Sequence, residues 1–296
     1  CGRCVEACPV GIDSVRLRQN VRELNAPKQQ GDFSYIPDRA VEKADVLYFA
    51  GCMTRSMPSI EGPMLAILEA SGDRYSYMDK DGTICCGQLN AMTDRERRES
   101  DAALFARFLA LPQVEAAKAM MAKNTELIRR SGAKTLVTSC PICYRIFRQH
   151  YNLKGIEVLH HTQYIDRLIQ DGRITVRYTP IRASYHDPCD LGRGCGVYQA
   201  PRRVINAICD LDEAAESGKS SLCCGASLAD TVLGERQRRD IAQDAFTRLT
   251  EKGQDVLYTA CPLCKKTFTG VSDGRPVEDI AQAVARSLVS AGNTSK

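Results

Sequence analysis

The sequence has no tryptophan, only four histidines, and no run approaching the ~18 consecutive apolar residues needed to cross a bilayer. It opens without the basic-then-apolar pattern of an export signal. Neither G-x-G-x-x-G nor G-x-x-x-x-G-K-[ST] occurs, so no nucleotide cofactor is expected on this chain and electrons must arrive from another subunit. The net charge of +4 comes from bases interleaved with acids, which argues against a nucleic-acid partner. The remaining balance, 44% hydrophobic and 26% charged over 296 residues, is that of a soluble, cored protein large enough for two domains.

Cysteine is what the chain has in excess, with fifteen. An odd count leaves one thiol over in any closed disulfide framework, and Cys85 with Cys86 or Cys223 with Cys224 would close almost no loop. Without an export signal the expected compartment is the reducing cytoplasm, where grouped cysteines hold metal or do redox chemistry. Cys1, Cys4 and Cys8, the last followed by Pro9, read C-x2-C-x3-C-P. This resembles the end of the bacterial ferredoxin run C-x2-C-x2-C-x3-C-P. The resemblance implies that Cys1 and Cys4 ligate one 4Fe-4S cluster and Cys8 another. The run's first cysteine would lie before Cys1, so the sequence is expected to begin inside a longer protein.

Ten further cysteines fall into an internal repeat. Cys52 is followed by Cys85-Cys86-Gly87 and then by Cys140-Pro141-Ile142-Cys143. Cys189 is followed in the same order by Cys223-Cys224-Gly225 and Cys261-Pro262-Leu263-Cys264. Apolar, β-rich runs at 45–50, 135–138 and 255–259 precede three of these sites, and amphipathic helical spacing covers 95–109, 114–131 and 234–252. The pattern of strand, site and helix predicts an α/β fold with the cysteines at the carboxyl ends of strands. Proline suits the first turn of a helix, so each Cys-Pro-x-Cys should start one, its dipole favouring thiolate. The glycine after each Cys-Cys should supply an unusual backbone that turns both sulfurs inward.

Five thiolates are one more than zinc or a cubane cluster takes. The doubled arrangement resembles the CCG-domain family, found in the catalytic subunits of heterodisulfide reductase and its relatives, and the Tyr185 to Arg193 lead-in, with His186, Asp187 and Pro188 before Cys189, resembles that of the family's second motif. The resemblance implies a noncubane 4Fe-4S cluster on Cys52, Cys85, Cys86, Cys140 and Cys143, and another on Cys189, Cys223, Cys224, Cys261 and Cys264. A zinc ion at one motif is the alternative. A ferredoxin module ahead of two CCG domains is similar to the membrane-linked forms, including the related subunit of a sulfite-reductase-linked membrane complex. The implied organisation is the end of a two-cluster ferredoxin domain with linker over 1–31, a first CCG domain over 32–160 and a second over 161–296. Two departures stand out: 53 residues separate Cys86 from Cys140 against 36 between Cys224 and Cys261, and Asp190 stands where many relatives carry histidine.

The resemblance implies an oxidoreductase subunit that couples single-electron transfer to two-electron disulfide or thiol chemistry. It would sit peripherally on the cytoplasmic membrane through a haem b or quinone-binding partner and act on a small thiol or disulfide, molecule or protein. The second motif is the better candidate for catalysis, with His186 as a candidate proton donor against a reading in which it packs at a strand end. The rival within the family is an electron relay between a flavoprotein of the lactate, glycolate or glycerol-3-phosphate oxidation type and quinone. His160 and His161 read as a strand-to-helix junction, Cys209 as a buried small apolar residue, and Cys195, between two glycines, as an exposed thiol without an assigned role.

Overall fold

Short apolar runs form the middle of two parallel sheets. The computed structural model describes residues 1–13, 16, 41–55, 57–80, 85–87, 115–226 and 233–289. The helix expected over 95–109 and the linker after residue 16 lie outside the described residues. After a single turn, α1 (Arg3–Glu6), the first repeat contains β1 (Val46–Phe49), α2 (Cys52–Arg55), α3 (Pro58–Ala70), β2 (Tyr75–Tyr77), α4 (Glu115–Ser131), β3 (Thr135–Thr138), α5 (Pro141–His150), β4 (Glu157–His160) and α6 (His161–Gln170). The second contains β5 (Arg182–His186), α7 (Gly192–Cys195), α8 (Gln199–Ile208), β6 (Asp210–Leu211), α9 (Glu235–Leu249), β7 (Val256–Thr259), α10 (Pro262–Thr269), β8 (Val277–Asp279) and α11 (Ile280–Ser287). The strand orders are β2-β1-β3-β4 and β6-β5-β7-β8, with every pair parallel. Counted by topology, the first unit extends through α6, the counterpart of α11.

Each sheet is buried on both faces, which is why its central strands are apolar throughout. Along β1, Val46 and Tyr48 join a core shared by the two repeats, while Leu47 and Phe49 point into a core of the first repeat alone. β7 alternates likewise, with Val256 and Tyr258 in the shared core and Leu257 in that of the second repeat. The shared core is closed by α11 against α3 and by α6 against α8, which are equivalent pairs under the repeat.

At the centre of this contact the two repeats exchange a buried polar pair. His160 ends β4 and caps α6, and Asp279 ends β8 and caps α11, each with a glutamine, Gln163 or Gln282, completing the capping box. Asp279 Oδ1 accepts the Ala281 N–H at 2.9 Å and lies 3.2 Å from Nε2 of His161, with both side chains fully buried. The strand-to-helix junction read at His160 and His161 is therefore also the contact between repeats.

Because one core serves both repeats, they should unfold together. Ile280→Ala, at a fully buried position in that core, should cost about 2–5 kcal/mol. Denaturant unfolding followed by circular dichroism should show one earlier transition; two separated transitions would mean that the repeats fold independently.

Candidate metal centres

A reversal of strand order opens each sheet at one point. The chain leaves β1 for β2 on one side, and β3 leads to β4 on the other, so a crevice lies outside the carboxyl ends of β1 and β3. Cys52 follows β1, Cys140 and Cys143 follow β3, and Cys85 and Cys86 enter from the connection between β2 and β3. The second sheet repeats this with Cys189 after β5, Cys261 and Cys264 after β7, and Cys223 and Cys224 between β6 and β7.

All ten repeat cysteines are gathered into these two places. In the first site, thiol hydrogen bonds join Cys52 to Cys85, Cys86 to Cys143 and Cys143 to Cys140. In the second they join Cys223 to Cys224, Cys224 to Cys264 and Cys264 to Cys261, with Cys189 close enough to feel the charge of Cys223 and Cys224. Pro141 and Pro262 occupy the first turn of α5 and α10, so each Cys-Pro-x-Cys straddles a helix N-terminus. Gly51 has φ 86°, and a Cβ there would fall 3.0 Å from Sγ of Cys143. Gly225, after the second Cys-Cys, has φ 83°, and its Cβ would meet the Arg238 carbonyl oxygen at 2.6 Å.

Buried polar groups outside the motifs hold these loops, and most were not singled out by the sequence patterns. Asp79 accepts the N–H groups of Ala50 and Gly51, both at 2.8 Å, and so fixes the turn into Cys52. Asn124 donates to the Cys85 carbonyl at 2.7 Å and the Tyr151 hydroxyl to the Cys86 carbonyl at 2.9 Å. In the second site Asp187 forms a two-pronged pair with Arg202 at 2.8 and 2.9 Å and accepts the Gly218 N–H at 2.7 Å. Arg193 donates from Nη1 to the Lys219 and Ser221 carbonyls, both at 2.9 Å, and from Nε to the Cys1 carbonyl at 2.7 Å. The segment bearing Cys1, Cys4 and Cys8 thus lies against the second repeat, with α1 on the turn Gly218–Ser220.

His186 is buried, with Nε2 facing the Leu222 carbonyl at 3.1 Å and Nδ1 3.4 Å from Oγ1 of Thr259. A ring nitrogen facing a carbonyl carries the proton, and burial pulls the pKa down to about 4. The ring is therefore neutral at physiological pH and braces the residue before Cys223. Cys209 is buried in the shared core. Cys195 is only half-exposed, and burial lifts its thiol to about 11, the opposite of an activated thiolate.

Crowding divides the thiols of the metal-free chain. Hydrogen bonds from Cys143 and from Cys223 lower the pKa of Cys140 and of Cys224, respectively, so each site favours one thiolate. Cys143, Cys223 and Cys264 are raised, chiefly by hydrogen bonds with neighbouring thiols, Cys52 likewise by Cys85, and Cys189 by burial. The expectation that the helix dipoles favour thiolate at Cys-Pro-x-Cys is thus met at Cys140, where the Cys143 hydrogen bond is the largest cause, and not at Cys143 or Cys264, which neighbouring thiols raise; the lowered thiol of the second site, Cys224, lies outside that motif.

Among the described residues no three His, Cys, Asp or Glu side chains are disposed about a single ion. Five thiols linked by hydrogen bonds or by charge in each site exceed what one zinc takes, and soft thiolates suit iron–sulfur groups. The donor sets fit an iron–sulfur group at each site, and the five cysteines named are the residues that would hold it.

Two parallel α/β units, each gathering five thiols at its switch point, define a cysteine-rich redox protein, and the chain belongs to the cysteine-rich CCG domain family, whose model matches residues 46–148 and 183–269. It is 28% identical over 338 residues to a subunit of the dihydromethanophenazine:CoB--CoM heterodisulfide reductase of Methanosarcina barkeri, covering 97% of this chain and 76% of that protein. It is 25% identical to the EtfAB:quinone oxidoreductase of Syntrophomonas wolfei, covering 89% of this chain and 34% of that one. Among solved structures, a hypothetical protein from Helicobacter pylori shares the fold with a TM-score of 0.54 at 9% identity, covering 93% of this chain and 54% of that one.

Because Cys52, Cys143, Cys189, Cys223 and Cys264 have raised pKa values and hold their protons, binding metal as thiolates must release them. Iron and sulfide uptake by the metal-free chain should therefore strengthen as pH rises and weaken on acidification. Anaerobic uptake across about pH 6.5 to 8.5 tests this; a flat profile would contradict the ligand assignment.

Proposed function

We propose that the chain is an iron–sulfur oxidoreductase subunit whose two five-thiol sites hold noncubane 4Fe-4S clusters, and that the second site carries out two-electron disulfide or thiol chemistry. The observation that carries this reading is the convergence of five cysteines, rather than four, at each switch point. Such a cluster, when bound, accepts electrons singly and offers soft metal to sulfur. Cys189, Cys223, Cys224, Cys261 and Cys264 hold it at the second site, where the amino end of α10 faces added negative charge. Asp187 and Arg193 fix the loops that carry Cys189 and Cys223. His186 serves as a positioning residue: its proton is engaged by the Leu222 carbonyl, so a departing thiolate takes its proton from solvent.

Cys1, Cys4 and Cys8 are proposed as ligands of ferredoxin-type clusters, and their seat against the second repeat favours that site as the one that receives electrons first. No helix among the described residues is long and apolar enough to cross a membrane. Attachment to a membrane would run through a haem b or quinone-binding subunit, a reading supported by the relative named as a quinone oxidoreductase. The second reading, a relay from a flavoprotein to quinone, draws on the quinone oxidoreductase relative.

Adding the physiological thiol under oxidising conditions should produce a new paramagnetic signal that broadens when the thiol sulfur is labelled with a magnetic nucleus, and Cys224→Ala should abolish it. If neither thiol nor substitution alters any cluster signal while electrons still pass from a flavoprotein to quinone, the relay reading stands instead.

A further inference from the structure

One charge pair links the cysteine-bearing ends of the two repeats. Arg145 lies on α5, two residues beyond Cys143 of the first site, and its Nε is 3.1 Å from Oδ1 of Asp190, the residue after Cys189 of the second. The other carboxylate oxygen of Asp190 is 3.8 Å from Sγ of Cys189. The contact is an ion pair rather than an aligned hydrogen bond, since Nε has no partner in hydrogen-bond geometry. Its side chains are 17% and 15% exposed, a setting in which charge is screened far less than at the surface. The Arg145 stem passes under Gly194, whose Cβ, if present, would lie 3.5 Å from Cδ. The guanidinium feels the charge of Asp190 most, then of Cys189 and Cys195 from the second repeat and of Cys86 from the first.

The repeat makes the pair asymmetric. Positions equivalent to Arg145 and Asp190, counted from their neighbouring cysteines, are Lys266 and Met53. Met53 packs against the second repeat's core and brings no carboxylate. When the cysteines bind metal as thiolates, the Asp190 carboxylate beside Cys189 adds a like charge that a cation must offset, and Arg145 is in contact to do so.

We propose that Arg145 is a positioning charge shared by the two centres: it raises the reduction potential of both, while Asp190 lowers that of the second selectively, so the pair sets the potential difference down which an electron moves between them. Reduction adds negative charge, which a nearby cation favours and a nearby anion opposes. This inference rests on the cluster reading above.

The test is a spectroscopic redox titration of both centres in the iron-loaded chain and in Arg145→Met, Arg145→Lys, Asp190→Asn and the double variant Arg145→Met with Asp190→Asn. In Arg145→Met both centres should become harder to reduce, the second more so, with the reduced-to-oxidised ratio at fixed potential falling about tenfold, or about 59 mV for one electron. Asp190→Asn should make the second centre easier to reduce and leave the first nearly unchanged. Arg145→Lys should stay near the native values. The double variant should restore the second centre but leave the first displaced. If Arg145→Met fails to fold, the opposite signs expected of Asp190→Asn at the second centre and of the double variant at the first still decide. Clusters present but with potentials unmoved, or moved in the same direction by both single substitutions, would overturn the role of Arg145 alone. A chain that takes up no iron–sulfur group would overturn the cluster reading itself.

Discussion

Five sulfur atoms brought to one point in a poorly solvated crevice repel one another as soon as more than one loses its proton, and the rest of the structure answers that constraint. At a strand-order reversal the connections of two central strands leave in opposite directions, which opens a crevice for the sulfurs, and helix N-termini face it from one side. Asp79 and Asp187 are engaged by backbone N–H groups and, for Asp187, by Arg202, which offsets the charge they bring near the sulfurs. Without metal, the sulfurs share protons among themselves, leaving one thiolate favoured in each site at Cys140 and Cys224.

The repeat solves the constraint twice with different side chains. In the first site Asn124 and Tyr151 grip the carbonyls of Cys85 and Cys86. In the second, Arg193 and His186 grip the carbonyls of Ser221 and Leu222, just before Cys223. The second arrangement also reaches the N-terminal cysteine segment through Arg193, which gives the two otherwise equivalent units different neighbours. That difference, with the lone Asp190 carboxylate, is a physical basis for unequal roles.

Much of this was legible in the sequence. The strands at 46–49, 135–138 and 256–259, the helices opened by Pro141 and Pro262, and the positive φ of Gly87 and Gly225 all follow from patterns with local causes: apolar runs, proline at a first turn, glycine after paired cysteines. The short strands Tyr75–Tyr77, Asp210–Leu211 and Val277–Asp279 carry little apolar signal and are set by pairing to a central neighbour. Asp79, Asn124 and Arg145 were not legible as site residues because each acts across 28 or more positions of sequence, a distance at which a lone polar residue has no pattern; Arg193 was legible only as the end of the lead-in to Cys189, not through its hold on Ser221 and Cys1. His186 had a signal, its place before Cys189, but only burial and the Leu222 carbonyl distinguish a brace from a proton donor.

The central claim is that each set of five cysteines holds one polynuclear iron–sulfur group. Replacing Cys1, Cys4 and Cys8 by serine leaves the ten repeat cysteines together with Cys195 and Cys209, and iron, zinc and acid-labile sulfide can then be measured on the anaerobically purified chain. The account predicts about eight irons with a matching amount of sulfide and no zinc; about four irons with one zinc would contradict it.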